Sequence, residues 1–363
     1  MNPVRASFRA SVRIGGTHAS RDRSLRVGAW SVRFRPRAMV AGTACLVAAL
    51  ALAVACIGSG DYAMGFGRVV DALLGHGSAA DEFVVRELRL PRAGVALLVG
   101  AALGLAGAVF QAVVRNPLGS PDLLGFTAGS ATGALFAIVV LGGSAGMVAF
   151  GAAAGGITAG IVVYLLAWTQ GVHGFRLILT GIGLTAILTG VNGYLLTRAK
   201  LAEASRVMLW QTGSLDGRDW DDAMPLAIAM LVLVPALIIG CGPALRMLEM
   251  GDDAAAALGV RVERVRLVLL SGAILLVSLA AAAAGPVAFV ALTAPQLARR
   301  LTAAPGPNLL PSLCMGAVLL VGSDWIAQRA FADDPLPVGV VTGLLGGGYL
   351  VLMLAAQRRA GRI

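Results

Sequence analysis

Lysine is all but missing from this chain: Lys200 is the only one in 363 residues. A Walker-type phosphate loop needs Gly-Lys-Ser or Gly-Lys-Thr, because the lysine ammonium meets the phosphates. Lys200 stands in Ala-Lys-Leu, so ATP hydrolysis by that route is excluded for this polypeptide. Histidine is nearly as scarce. His18, His76 and His173 are scattered, and no HExxH pair offers a zinc site. The four cysteines, Cys45, Cys56, Cys241 and Cys314, form no CxxC pair. They lie in or at the ends of apolar runs, where a thiol acts as a small hydrophobe. The sequence thus offers no metal site, no cofactor of its own and no catalytic constellation. Charge is short as well: 13% of residues are charged, against about a quarter in a soluble domain.

What is present is apolar and repeated. The chain is 58% hydrophobic with a mean hydropathy of +0.83. Long apolar runs recur, and the alternating segments of a membrane β-barrel are absent. This predicts an all-α polytopic membrane protein embedded in a lipid bilayer. Ten spans are expected, near 39–57, 93–113, 122–141, 147–168, 177–197, 224–241, 266–284, 286–299, 309–328 and 337–356. The eighth is short and interrupted by Pro295, which suits a tilted or protein-packed segment. Residues 1–38 read as a basic, poorly ordered cytoplasmic tail with nine arginines and one acid, and Met39 offers an alternative start. No cleavable signal pattern is visible. Residues 39–357 form a single membrane domain, and 358–363 a basic cytoplasmic end.

The net charge of +10 would suggest nucleic acid in a soluble protein. Here it reports membrane orientation, and no nucleic-acid partner is expected. With the N-terminus inside, inner segments hold twenty of the 29 basic residues and six of the 19 acids. The opposite orientation inverts the positive-inside rule. Both termini are therefore expected in the cytoplasm. The outer segments include an amphipathic piece, Phe66 to Leu74, and a Trp-rich stretch in which Trp210 and Trp220 suit interfacial anchors.

The stretch Arg89–Gly129 is the most informative. It reads RLPRAGVALLVGAALGLAGAVFQAVVRNPLGSPDLLGFTAG. Two arginines flank a proline, a span follows, and a polar break falls at Arg115-Asn116-Pro117. Gly100, Gly104 and Gly107 leave nearly bare backbone, which lets a neighbouring helix approach closely in lipid. Gln111 is the one polar side chain before the break. The segment reads as a central, protein-packed helix. Asn116 and Pro117 cap its inner end, where the polar groups suit a cytoplasmic gate.

A second stretch, within the cytoplasmic insertion 242–265, reads LEMGDDAAAALG from Leu248 to Gly259. Acids, an alanine run and Leu-Gly predict a short helix starting near Asp252 or Asp253 and stopping at Gly259. Such a helix between spans can transmit force to a soluble partner. An ion-coupled carrier, by contrast, needs ionisable groups deep in its spans. Asp324, near the outer end of span nine, and Gln111 are the candidates, which disfavours an ATP-independent carrier.

These motifs carry a resemblance. RLPR, VGAALGLAGAVFQ and RNPLGSPDLLGF, then LEMGDDAAAALGVRVERVR, AAAAGPVAFVALTAPQLARRL and LPVGVVTGLLGG, resemble in order and spacing the FecCD-type permeases. These belong to ABC importers for ferric siderophores and vitamin B12. The wording is most similar to ferric-enterobactin permeases, which implies a ferric catecholate cargo. Another siderophore, haem or cobalamin is the alternative. The resemblance implies ten helices in the cell inner membrane and a second permease subunit, by preference a paralogue. It also implies two ABC ATPase subunits that carry ATP-Mg, and a periplasmic or lipid-anchored siderophore-binding protein. It implies that Leu248, Glu249, Gly251, Asp252, Asp253, Leu258 and Gly259 couple to the ATPase. It implies that Arg89 and Arg92, with Arg329 following the span-nine aspartate, dock the binding protein. Where relatives often read Pro-His, this chain has Pro295-Gln296, which removes a titrating group there.

Overall fold

A computed structural model describes residues 23–27, 30–34, 36–59, 62, 64–168, 174–304, 306–330 and 336–359. Most of the basic leader, His173 and residues 360–363 of the basic end lie outside these. The described part of the leader is a departure from the all-helical expectation. Strands β1 (Arg23–Val27) and β2 (Trp30–Phe34) pair antiparallel, with Leu25 opposite Val32. Apolar and polar residues alternate along β2, the period-2 pattern of a strand.

Helices make up the rest. In chain order α1 (Pro36–Gly58), α2 (Phe66–Leu74) and α3 (Ala79–Phe83) precede a π-helical turn, Val84–Arg89, that runs into α4 (Leu90–Val114). A 3-10 turn, Pro121–Leu124, leads to α5 (Phe126–Val139), α6 (Ala145–Ala167), α7 (Gly174–Arg198), α8 (Leu201–Gln211) and α9 (Trp220–Pro235). A second π turn, Ala236–Gly240, leads to the short α10 (Gly242–Leu248) and α11 (Asp252–Ala257). Then follow α12 (Val262–Ala284), α13 (Val290–Thr302), α14 (Leu309–Ala327) and α15 (Val338–Arg359).

A helix lies at each of the ten expected positions. Among the described residues, seven are long and apolar enough to cross a membrane, and α5 and the Val338–Met353 part of α15 are apolar but shorter. The remaining one, α13, carries Pro295, Gln296, Arg299 and Arg300 and packs inside the protein along Val290–Pro295.

The core forms around α4, which is buried without interruption from Val99 to Val113. Its glycines explain how. A Cβ at Gly100 would strike the Gly316 carbonyl, one at Gly104 the Ser312 carbonyl, and one at Gly107 the Ala291 carbonyl. The backbones of α4, α14 and α13 therefore touch directly. Lipid tails are as apolar as leucine, so such close van der Waals contact is what holds membrane helices together. A second contact of the same kind joins Gly129 and Gly133 of α5 to Gly151 and Gly155 of α6. The start of α4 has its own cause. Pro91 has no N–H for the α-helical ladder, and the preceding turn widens to a π-helix that contains Arg89.

Candidate functional site

The two ends of α4 gather nearly all the residues singled out by the sequence. At the first end, Arg92 reaches Asp324 of α14, 232 residues away, through Nη2 at 2.9 Å and Nε at 3.3 Å. Asp324 is 1% exposed and also accepts from Gln328 Nε2 at 2.7 Å. A buried carboxylate is tolerated when paired and hydrogen-bonded, and these contacts supply both needs. Arg92 Nη1 extends to Asp216 at 3.1 Å, whose carboxylate is 79% exposed. Arg89 donates to the carbonyls of Ile57 at 2.8 Å and Tyr62 at 2.9 Å. Arg329 donates to Ser59 Oγ at 2.6 Å and stacks over the Trp325 ring at 4.4 Å. Arg89 and Arg329 thus flank the end of α1, with the Arg92–Asp324 pair beside them.

A cavity of about 370 Å³ opens at this end, lined by Arg92, Arg206, Trp210, Ser214, Asp216 and Arg218. Trp210 is buried there, so it packs against protein rather than anchoring at an interface; Trp220 is exposed.

At the second end of α4, Gln111 is buried and donates from Nε2 to the Leu292 carbonyl at 3.0 Å. Gln296 of α13 donates to Gln111 Oε1 at 2.6 Å and to the Pro117 carbonyl at 2.7 Å. Two glutamine amides therefore tie α4, α13 and the 115–120 turn together. The turn is locally specified. Arg115 caps α4 at φ 54°, a left-handed conformation uncommon for a residue with a side chain. The Asn116 N–H returns to the Gln111 carbonyl at 3.1 Å, and Asn116 Oδ1 accepts from the Leu118 N–H at 2.9 Å. A cavity of about 220 Å³ adjoins it, lined by Gln111, Arg115, Asn116, Pro117, Glu249 and Arg299.

The 242–265 insertion lies at this same end. Its short helix, α11, begins at Asp252, and Gly259 follows its end at φ 85°, as the acid–alanine–glycine pattern predicts. Gly251 at φ 118° sets the turn between α10 and α11. Leu248 and Ala255 are buried and fix the segment to the protein. Met250 (63% exposed) and Leu258 (60% exposed) face away with Asp253. Asp252 turns inward, between Arg115 and Arg266. Partial burial alone would raise its pKa. The hydrogen bond and charge of Arg266, with those of Arg115, outweigh that and hold it below the usual carboxylate value. Glu249 goes the other way. Burial pushes it up, against the opposing charges of Arg299 and Arg246.

The sequence could not single out Asp216, Gln328 or Arg266, and showed Arg115 only as part of the polar break, because their roles come from pairing across distant segments. It also passed over α7. Although α7 is apolar, little of it is buried, and Gly183, Gly190 and Gly193 face open space. Among the described residues, no group of three or more His, Cys, Asp or Glu could hold a metal ion.

The chain has relatives among known proteins. Residues 46–356 match the FecCD transport family. The chain is 43% identical over 323 residues to the ferric enterobactin transport system permease protein FepG of Escherichia coli (strain K12), covering 86% of this chain and 97% of that protein. It is 36% identical over 299 residues to the iron(3+)-hydroxamate import system permease protein FhuG of Bacillus subtilis (strain 168), covering 79% and 88%. Among solved structures, an inward-facing metal-chelate type ABC transporter superposes with a TM-score of 0.75 at 25% identity, covering 88% of this chain and 99% of that one.

Proposed function

The chain belongs to the FecCD transport family, the non-catalytic multi-pass permeases of ABC importers for iron–siderophores and metal chelates, and we propose that its cargo is a ferric catecholate of the enterobactin type. The observation that carries this reading is the higher identity to the enterobactin permease, 43%, than to the hydroxamate permease, 36%. We further propose ten spans with both termini in the cytoplasm, on the charge balance of the loops. In that orientation the Arg92 end of α4 faces outward and the Gln111 end inward.

Arg89, Arg92 and Arg329 then form the outer docking point for a periplasmic or lipid-anchored binding protein. Their clustering at one end supports this. At the inner face, Met250, Asp253 and Leu258 of the 242–265 segment rest on a separate ATPase subunit that carries ATP-Mg. The Gln111–Gln296–Pro117 bonds form the inner gate, and Gly100, Gly104 and Gly107 are packing contacts. A second permease subunit, by preference a paralogue, covers the open face of α7. Uptake of radiolabelled iron in a strain lacking this chain tests the cargo, using a panel of catecholate, hydroxamate and citrate complexes. Restoration by the chain of catecholate uptake alone is expected. Equal restoration of hydroxamate or citrate uptake overturns the assignment.

A further inference from the structure

Asp252 opens α11, the helix whose outward residues are assigned above to the ATPase, and its carboxylate, 44% exposed, is shared between two arginines of its own chain. One oxygen accepts from Arg115 Nη2, and the other from Arg266 Nη2 at 2.9 Å. The two arginines belong to different long helices. Arg115 caps α4, one residue before Asn116 and four after Gln111. Arg266 belongs to α12, is 7% exposed, and is held on its other side by Glu263 at 2.7 Å. A single carboxylate therefore joins the short helix to the two most buried of the candidate spans, α4 and α12.

The geometry separates two roles that share one helix. Asp253, the next residue, is exposed, while Asp252 spends both oxygens on its own chain. Arg266 is buried and shared between Glu263 and Asp252, so a shift of α11 that releases Asp252 removes one of its two carboxylate partners. Arg115 sits in the turn that Asn116 and Gln111 also build, so its pairing with Asp252 ties α11 to the Gln111 end of α4.

We propose that Asp252 is a strut: it carries displacement of α11 to α12 and to the gate end of α4, and does not itself contact the ATPase. This rests on the coupling reading above. Arg115 and Arg266 are its positioning partners.

The test uses the complete transporter in proteoliposomes with its binding protein, measuring ATP hydrolysis and import of ferric enterobactin together. Arg115→Gln removes one leg of the strut and leaves the outward face intact. The ATPase subunits should co-purify normally and hydrolysis should continue, while substrate imported per ATP falls about 5- to 10-fold, in the range of measured coupling effects. Arg115→Lys, which keeps the cation, should restore most of the loss. Leu258→Arg, on the outward face, should shed the ATPase. Shedding by Leu258→Arg with a wild-type import ratio in Arg115→Gln overturns the strut and leaves the coupling reading standing. Normal ATPase retention and hydrolysis in Leu258→Arg overturns the coupling reading itself. Equal loss of co-purification and import in Arg115→Gln also overturns the strut, because Arg115 would then serve assembly.

Discussion

Replacing Arg92 by methionine separates two roles that a loss of transport alone would confuse. In the folded chain Arg92 supplies two of the three hydrogen bonds to Asp324, at 2.9 and 3.3 Å; Gln328 supplies the third at 2.7 Å. Removing one partner of a buried pair costs about 3–5 kcal/mol, because the other charge stays behind uncompensated. Arg92 is 21% exposed and Gln328 remains, so the lower end, about 3 kcal/mol, is expected. Removing both charges together avoids that cost. Arg92→Met with Asp324→Leu should lie within about 1 kcal/mol of wild type, since a buried pair replaced by apolar residues is often neutral or stabilising. The non-additivity, at least about 2 kcal/mol, is the signature of a direct interaction.

The assay is a double-mutant cycle of unfolding free energies in detergent, paired with uptake and binding-protein affinity for each variant. If Arg92 docks the binding protein, the double variant regains stability but not affinity. If Arg92 serves only to neutralise Asp324, it regains both. A single Arg92→Met variant that loses under about 1 kcal/mol, and adds simply with Asp324→Leu, refutes the reasoning about burial.

Other consequences follow from packing and charge. Gly104→Leu or Gly107→Leu forces side chains onto the Ser312 and Ala291 carbonyls and should cut the yield of folded protein, whereas Gly183→Ala, facing open space, should leave it unchanged in detergent-resistance assays. Asp252 is held below its ordinary pKa, so its contribution is fully present above the unfolded value near 3.9 and is lost as pH falls through the lower folded value. The protection factors of the α11 amides, corrected for intrinsic exchange, should therefore be flat from neutral pH to about pH 5 and fall only in stronger acid; a midpoint above about 4 contradicts the pairing. Gln296→His places a group with an ordinary pKa near 6.5 against Gln111 and Pro117, and uptake should become pH-dependent across that range where the wild type is not.

Local patterns and distant pairings were unequally legible in the sequence. The amphipathic piece Phe66 to Leu74 reappears as α2 with the same bounds, because its period is written in those nine residues and Gly75 follows them at φ 82°. The short helix α11 was equally readable from its acids, alanines and Gly259. The glycine run marked α4 as packed, since only protein neighbours reward bare backbone in lipid. Its partners were not legible: nothing near Gly107 names Ala291. Arg92 and Asp324 were each visible as intramembrane or interfacial charges, but their pairing spans 232 residues. Burial reversed one reading. Trp210 looked like an interfacial anchor and instead is buried against the wall of the cavity at the Arg92 end. Aromatic content near a span end reports amphipathicity, and only the fold decides which side is wet.

The same helix can connect docking to gating only if it does not slip against its neighbours. Carbonyl-to-glycine contacts at Gly100, Gly104 and Gly107 answer that requirement, because closely apposed backbones have no flexible side chains to absorb a shift. Displacement at the Arg92 end would then carry α4 and α14 together. The two ends are built differently to suit this. At the Arg92 end a charged pair crosses to α14, along the contact the glycines already fix. At the Gln111 end the bonds to Leu292 and Pro117 are made by neutral amides, and a carboxylate bridges to α11 and α12. Neutral hydrogen bonds are roughly half as strong as charge-assisted ones. On the proposed coupling, a force delivered through Asp252 is expected to open the amide contacts to Gln296 and Pro117 before it breaks the Arg92–Asp324 pair, which would put the moving joint at the Gln111 end of α4 and the fixed joint at the Arg92 end.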